Sequence, residues 1–439
     1  MTHETASAST RRNFLKTSSA AVGGALASSL AFPSVVSAAG ASDKLKIGFV
    51  GCGGRGTGAA KQALSADSNV ELYAMADVFP EKLEKSLETL KGQFPDQPAK
   101  FNVAKERQFI GLDAYHKVIN SGVDVVILTT PPGFRPIQFK AAIDAGKHVF
   151  LEKPMATDAP GVRSVMESVK KAKEKKLAVV AGFCWRYDAA RRAVFHEIHN
   201  GRIGAIKALY HTYLTGPVKP MPPADTRPAG MSDVEWQVRN WYNFTWLSGD
   251  GLVEQAIHSI DKMAWAMKDQ VPFKCTAVGG RMTPNYEGNI YDHIEVNYEW
   301  ENGVRGFMAQ RQIPFCHAET KDTIFGTRGN AYIGRRGSAP VEITGDKPWK
   351  FSDRAPDMYQ VEHDEFFASI RAGKPLNDGD RMCTSTMMGI MGRMAAYTGQ
   401  EITWEQAINS QEKLVPDNLT WDMNLPIARM AVPGQKKFV

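Results

Sequence analysis

From residue 45 onward the chain alternates between short apolar runs and stretches with helical periodicity. "LKIGFV" is followed by "TGAAKQALS" and then by "NVELYAMAD"; "AYHKVINSG" leads into "VDVVILTTPP", "RPIQFKAAIDAGK" into "HVFLEKP", and "APGVRSVMESVKKAKEKK" into "LAVVAGF". The Val- and Ile-rich runs lack period-two alternation, as strands do when helices cover both faces of a parallel sheet. Residues 44–184 are therefore predicted to form a doubly wound α/β domain. The crevice of such a sheet lies beyond the carboxyl ends of its strands, which places 129–132 and 152–154 at its wall.

The pattern changes after Cys184. In "DHIEVNYEW" the residues Ile294, Val296, Tyr298 and Trp300 alternate with Glu295, Asn297 and Glu299, and an Asn302-Gly303 turn leads into "VRGFMAQRQ". That predicts an antiparallel hairpin with one face buried and the other wet or paired with another subunit. With "AIKALYHTYL", "FKCTAVGGRM", "DTIFGTRGNAYI" and "PVEITGD" it builds a large, mainly antiparallel sheet in an α+β domain over 185–439. The final stretches, "QVEHDEFFASIRAG" and "RMCTSTMMGIMGRMAAYTG", read as helices that pack back on the first domain.

Ahead of both domains, Arg11 and Arg12 precede a Gly- and Ser-diluted apolar stretch from Thr17 to Phe32, and small residues lead to Ala38. This predicts a removable twin-arginine export signal over 1–38. The stretch falls short of the roughly 20 strongly apolar residues of a membrane span, and no later run is longer, so no membrane association is expected once the signal is gone. Of 53 basic and 47 acidic groups the signal holds Arg11, Arg12, Lys16 and Glu4, so its removal lowers the net charge from +6 to about +4, too mild to argue for nucleic acid. The roughly 400 residues that remain exceed one ordinary core and predict two domains. Cys52, Cys184, Cys275, Cys316 and Cys383 show neither CxxC spacing nor an even number, so no zinc site or disulfide framework is predicted.

Chemistry first appears in "GCGGRGTG", where five of eight residues are glycine. Gly51, Gly53 and Gly56 spell G-x-G-x-x-G between a strand and a helix, with Gly54 and Arg55 filling the loop. The first glycine permits the tight bend, the second lets backbone approach a diphosphate, and the third lets helix and strand pack closely. Asp77 ends the second strand 21 residues after Gly56, where a carboxylate can hold the adenosine ribose diol. The loop is thus read as a Rossmann dinucleotide site with NAD favoured over NADP, because Asp77 would repel a 2′-phosphate. Arg55 works against that preference, since a guanidinium can receive a phosphate bidentately. Thr129, Pro131, Glu152 and Lys153, at the following strand ends, complete the expected cofactor wall.

Lys153 follows the apolar strand "HVFL" and is fixed by Pro154, so its ammonium is expected at the crevice. Partly desolvated beside a cationic nicotinamide, it would have a lowered pKa suited to moving a proton. In "SGDGLVEQAIHSIDKMAWAM" one helical stripe is apolar, while Glu254, His258 and Asp261 fall at i, i+4 and i+7 on another. A carboxylate and an imidazole can therefore meet one ligand. Two of these as metal ligands lack an evident third, and no metal is predicted. Arg186 and Tyr187, after the last strand of the first domain, are expected to bind substrate. Trp185, Trp241, Tyr242 and Trp246 suit sugar stacking or the core.

With "LEKPMATD", the glycine loop, Asp77 and the Thr-Pro loop in place, the chain resembles the Gfo/Idh/MocA oxidoreductases over nearly all of its mature length. The export signal, "GFCWRYDAARR" and "WYNFTWLSGDGLVEQAIHSID" resemble the exported bacterial branch. The resemblance implies that Lys153 reaches both the nicotinamide ribose and the substrate hydroxyl, that His258 lies at the acid/base histidine, and that Glu254 replaces a customary aspartate. Gly133-Phe134-Arg135 departs from the histidine often found after the Thr-Pro loop. Sugar, sugar-derivative or inositol substrates and homodimers or homotetramers are implied too. Lys153 and His258 compete for the role of proton acceptor. Export to the periplasm implies a captive NAD, which fits three functions: a sugar oxidoreductase, an NAD-assisted glycosidase working by oxidation, elimination, hydration and re-reduction, or a non-catalytic dinucleotide-dependent sugar-binding protein.

Overall fold

Leu45–Val50 (β1) lies at the centre of a six-stranded sheet, paired in parallel with Val70–Asp77 (β2) on one side and Val125–Leu128 (β4) on the other. Gln108–Ile110 (β3), His148–Leu151 (β5) and Val179–Ala181 (β6) complete the order β3-β2-β1-β4-β5-β6, every pair parallel. Ile47, Phe49, Ile127 and Phe150 pack into one apolar cluster, with the helices Gly54–Ala66 and Pro80–Gln93. Their strand neighbours Val50, Val126, Leu128, Val149 and Leu151 pack into another on the opposite face, with Arg135–Asp144 and Ala159–Glu174. Both strand faces are buried, each such side chain contributing about 1.5–3 kcal/mol, and this accounts for the absence of alternation. The strand order reverses between β1 and β4, so the crevice opens at Gly51 and Thr129.

The second sheet has nine strands in the order β14-β13-β12-β11-β7-β10-β9-β8-β15. They are Ile206–Thr215 (β7), Lys274–Gly280 (β8), His293–Glu299 (β9), Arg305–Gln312 (β10), Glu319–Gly326 (β11), Gly329–Gly334 (β12), Val341–Gly345 (β13), Trp349–Lys350 (β14) and Ile402–Thr403 (β15). All neighbours are antiparallel except β7 and β10. The predicted hairpin pairs Glu299 with Arg305, and Ile294, Val296 and Tyr298 face the core. The computed structural model describes residues 43–334 and 340–439, so the export-signal reading of 1–38 lies outside the described residues.

Lys44–Val439 packs as one unit, and the helix Gly379–Thr398 is shared between its layers. That helix is apolar on nearly every side and correspondingly buried, with Met387, Met388, Met391 and Met394 filling its surroundings. Tyr298 donates its hydroxyl to Met388 O at 2.8 Å, and Met155 N donates to Thr386 Oγ1 at 3.1 Å. The helix Met358–Arg371 lies against the glycine-loop helix, where Gln360 Nε2 donates to Gln62 O at 3.0 Å and Arg371 Nε to Asp67 Oδ2 at 2.6 Å.

His363 on this helix is wholly buried against Phe150. Burial, and after it the Arg55 cation, push its imidazole down to about 3. His211 is also lowered, chiefly by burial. An unfolded histidine titrates near 6.5, so below that pH the unfolded chain binds protons that the folded one refuses. Stability should therefore fall as pH drops from about 6.5, with the His363 contribution continuing toward 3. Urea midpoints at pH 7.5, 6.5 and 5.5 test this, and His363→Gln should flatten the slope; midpoints independent of pH in that window would refute it.

Candidate functional site

Two adjoining cavities occupy the crevice. The first, about 320 Å³, is bounded by the glycine loop, Asp77, Phe79, Thr129 and Pro131. Gly51 has a φ of +96°, and a Cβ there would lie 2.8 Å from the Thr129 carbonyl carbon. At Gly56 a Cβ would come within 2.0 Å of Gly51 O. Gly53 and Gly54 differ: a Cβ at either meets nothing within 4 Å, and no side chain caps the helix Gly54–Ala66 that starts there. Two glycines are thus required by the protein's own packing, while Gly53 and Gly54 leave bare helix N–H groups facing a space that suits a diphosphate. Thr129 Oγ1 braces the loop through Gly51 O at 2.6 Å.

Asp77 sits at the end of β2 and accepts N–H from Cys52 at 2.6 Å and from Phe79 at 2.9 Å. Burial raises its carboxyl pKa, while those donors oppose the rise. Each oxygen retains a lone pair, so a ribose diol can still be received. Arg55 turns inward: its Nε pairs with Glu152, its other nitrogens reach Gln62 Oε1 at 2.9 Å and Glu362 Oε1 at 3.3 Å, and its guanidinium lies over Tyr359. Burial favours a neutral Glu152, but Arg55 and then Lys153 outweigh it and hold the carboxyl below its ordinary value. Gly182 makes room for that carboxylate, since a Cβ would come within 2.6 Å of Glu152 Oε2.

The second cavity, about 750 Å³, shares Arg55, Thr129, Thr130, Lys219 and Trp241 with the first. Lys153, Glu254 and His258 stand together on its wall. The predicted continuous helix is broken into Gly251–Glu254 and Ile257–Ala266, with Ala256 N donating back to Gly251 O at 3.2 Å. Glu254 and His258 nevertheless remain on one side. Lys153 Nζ donates to Glu254 O at 2.6 Å and to Glu254 Oε1 at 2.9 Å. Ahead of them Asp250 holds a φ of +91°, unusual for a side-chain-bearing residue, and is pinned by Tyr291 N at 2.8 Å and the Tyr397 hydroxyl.

His258 stacks on Trp185, centroids 5.5 Å apart, and the Lys262 ammonium stands 3.7 Å from the centroid of the same indole. Burial, then Lys153, Lys262 and Arg191, push the His258 imidazole well below its ordinary range, so it is neutral at working pH. Among the described residues neither His258 Nδ1 nor Glu254 Oε2 has a hydrogen-bond partner.

Three expectations are corrected. Arg186 is buried, and its guanidinium grips Asp261 at 2.9 Å and Asp269 instead of facing the cavity. Tyr187 is also buried and donates to Asp378 Oδ2 at 2.8 Å. Asp261 faces Arg186 and the Ser385 hydroxyl, so it leaves the Glu254 and His258 grouping. Removing one partner of a buried ion pair strands the other, so Arg186→Gln should lower stability by about 3–5 kcal/mol. Urea denaturation measures it, and an unchanged midpoint would contradict the assignment.

Trp185, Trp241 and Tyr242 do line the second cavity, whereas Trp246 is buried and donates to Gln237 Oε1 at 2.7 Å. Tyr213, Gln255 and Lys219 also line it without a local sequence signal. Arg135, noted in the sequence as a departure, is buried and donates to Thr130 O and Pro154 O, tying the two strand-end loops together. Burial pushes it down to about 10.

Residues 45–183 match the family model described as Gfo/Idh/MocA, oxidoreductase family, NAD-binding Rossmann fold. An inositol 2-dehydrogenase of Rhizobium meliloti is 24% identical over 348 residues, covering 76% of this chain and 92% of the relative. A glycosyl hydrolase family 109 protein of Shewanella pealeana is 28% identical over 220 residues, 45% of this chain and 46% of that protein. Among solved structures, the WlbA dehydrogenase of Bordetella pertussis in complex with NADH and UDP-GlcNAcA has a TM-score of 0.62 at 21% identity, covering 82% of this chain and 98% of that one.

Proposed function

We propose that the chain, whose residues 45–183 match the NAD-binding Rossmann model of the Gfo/Idh/MocA oxidoreductases, moves a hydride between a hydroxyl-bearing carbon of a sugar, sugar derivative or inositol and NAD held at the glycine loop. The observation that carries this reading is the convergence of Lys153, Glu254 and His258 on one wall of the cavity adjoining that loop. When bound, NAD accepts or returns the hydride at the nicotinamide. Lys153 uses two of its three N–H donors on Glu254, which leaves the third for the substrate oxygen. Its charge stabilises the oxygen as negative charge develops there. His258, kept neutral by its surroundings, takes the hydroxyl proton. Glu254 thereby aims Lys153 and leaves the proton to His258.

NAD is preferred over NADP in this reading. Asp77 stands at the ribose position, and Arg55, engaged by Glu152 and Glu362, is not available to a 2′-phosphate. Arg11 and Arg12 support export of the folded, cofactor-loaded protein by the twin-arginine route to the periplasm. Tyr210, Val278 and Phe325, exposed on the second sheet, support association as a homodimer or homotetramer.

A second reading, an NAD-assisted glycosidase with no net redox change, draws support from the similarity to the glycosyl hydrolase family 109 protein and from Lys219, Val238 and Trp241, which the second domain adds to the cofactor cavity. One experiment tests both. The exported mature protein is purified without added cofactor and denatured, and the released dinucleotide is identified and counted by mass spectrometry. The protein is then offered inositols, sugars and glycosides in deuterated water. Near one NAD per chain with carbonyl products or exchange between two sugars supports the oxidoreductase. Glycoside cleavage with deuterium beside the oxidised carbon supports the second reading. A protein that neither holds nor binds NAD overturns both.

A further inference from the structure

The five residues shared by the two cavities stand between Asp77, at the adenosine end, and Lys153 and His258, at the nicotinamide end. The diphosphate of a dinucleotide lies midway between its halves, so these residues flank its place. Two of the five carry charge. Arg55 is engaged by Glu152 and Glu362. Lys219 has no carboxylate at ion-pair distance among the described residues, and its ammonium stands 5.1 Å from the centroid of Trp241. Desolvation, and after it the nearby Lys82 ammonium, push its amine below the ordinary value. The bare N-terminus of the helix Gly54–Ala66 offers N–H groups and a partial positive charge, and the one full charge of its own loop, Arg55, is already paired with Glu152 and bonded to Glu362.

Lys219 is also held in place. Its carbonyl accepts Nδ2 of the buried Asn243 at 3.2 Å, and Asn243 Oδ1 accepts the Tyr286 hydroxyl at 2.9 Å. The lysine thus projects from a fixed point on the second domain toward a site built mainly by the first. We propose that Lys219 binds the diphosphate of NAD and fastens the 216–243 segment of the second domain over the cofactor. This rests on the NAD reading of the glycine-loop cavity and assigns that site a cation from outside the Rossmann domain.

The test compares the full-length chain with Lys219→Gln and Lys219→Arg by NADH fluorescence titration, with NADPH and adenosine as further probes and thermal melting of the cofactor-free proteins. A charge-assisted hydrogen bond predicts that Lys219→Gln weakens NADH by roughly 10- to 100-fold and flattens the salt dependence of binding. Adenosine affinity and melting stay unchanged, and Lys219→Arg recovers most of the loss. NADH binding at wild-type strength in Lys219→Gln overturns the proposal. So does a loss confined to NADPH, which would make Lys219 a reader of the 2′-phosphate. A wild-type chain that fails to bind NADH would instead bring down the NAD reading itself, and the proposal with it.

Discussion

Lys153→Met should reduce turnover of whichever sugar or inositol the wild type oxidises by about 10³-fold while NADH still binds. The loss exceeds that of an ordinary hydrogen bond, because the ammonium is pre-aimed by Glu254 O and Oε1 and sits in a desolvated wall where charge on the substrate oxygen is stabilised most. Glu254→Gln keeps a hydrogen-bond acceptor for Lys153 and should lose less, about 10-fold. His258→Asn should cost roughly 10²- to 10⁴-fold, the usual range for a positioned base. The pH dependence separates the two roles. Protonation disables a base, and His258 is held well below 6.5, so the acid limb of kcat/KM should lie below that value. Lys153 is the largest of the cations that lower His258, and Lys153→Met should move the limb upward in the residual activity. Steady-state rates from pH 4.5 to 8 measure both effects. Full activity in Lys153→Met, or an acid limb at or above 6.5 in the wild type, would contradict the assignment.

The glycine loop offers the second large contrast. Gly56→Ala places a Cβ 2.0 Å from Gly51 O and 2.5 Å from Thr129 Oγ1, backbone on one side and a bonded hydroxyl on the other, so strand and helix must separate. Overpacking of this kind costs about 1–3 kcal/mol, and the loop it displaces is the one that shapes the cofactor cavity. Reduced melting temperature and loss of NADH binding are expected together. Gly53→Ala meets nothing within 4 Å, and its φ of −73° suits alanine. It should melt like the wild type and yet weaken NADH by at least 10-fold, because the methyl occupies the space of the diphosphate. Calorimetry with and without NADH distinguishes the pair. Equal stability and equal affinity in Gly53→Ala would remove the diphosphate from that position.

Lys153 and His258, expected at the crevice from a strand end and a helix beginning, line one cavity, and both positions are legible because those elements are local. The grouping of Glu254, His258 and Asp261 was only partly right. Helical spacing places three side chains on one face, but it does not say what stands opposite, and Arg186 claims Asp261. Arg186 and Tyr187 follow a Rossmann strand in sequence as crevice residues do, yet their partners Asp269 and Asp378 come from distant segments that spacing does not register. Arg55 shows the same limit. Its place in a phosphate loop recommends it as a ligand and it does line both cavities, but spacing does not register that Glu362, 307 residues away, takes one of its nitrogens.

The two sheets, the strand faces, the glycine loop and the acidic residue that follows it are legible along the chain. Hydrophobic periodicity and the steric demands of Gly51 and Gly56 act over a few residues and survive without knowledge of the rest of the chain. Which charges are free depends on the folded arrangement. Glu152 pairs with Arg55 and Glu362 accepts a hydrogen bond from it, Glu254 aims Lys153, and burial among several cations keeps His258 neutral. Those outcomes depend on desolvation and on neighbours brought within a few ångströms by folding, because the energy of a charge is set by its surroundings in space and not by its position along the chain.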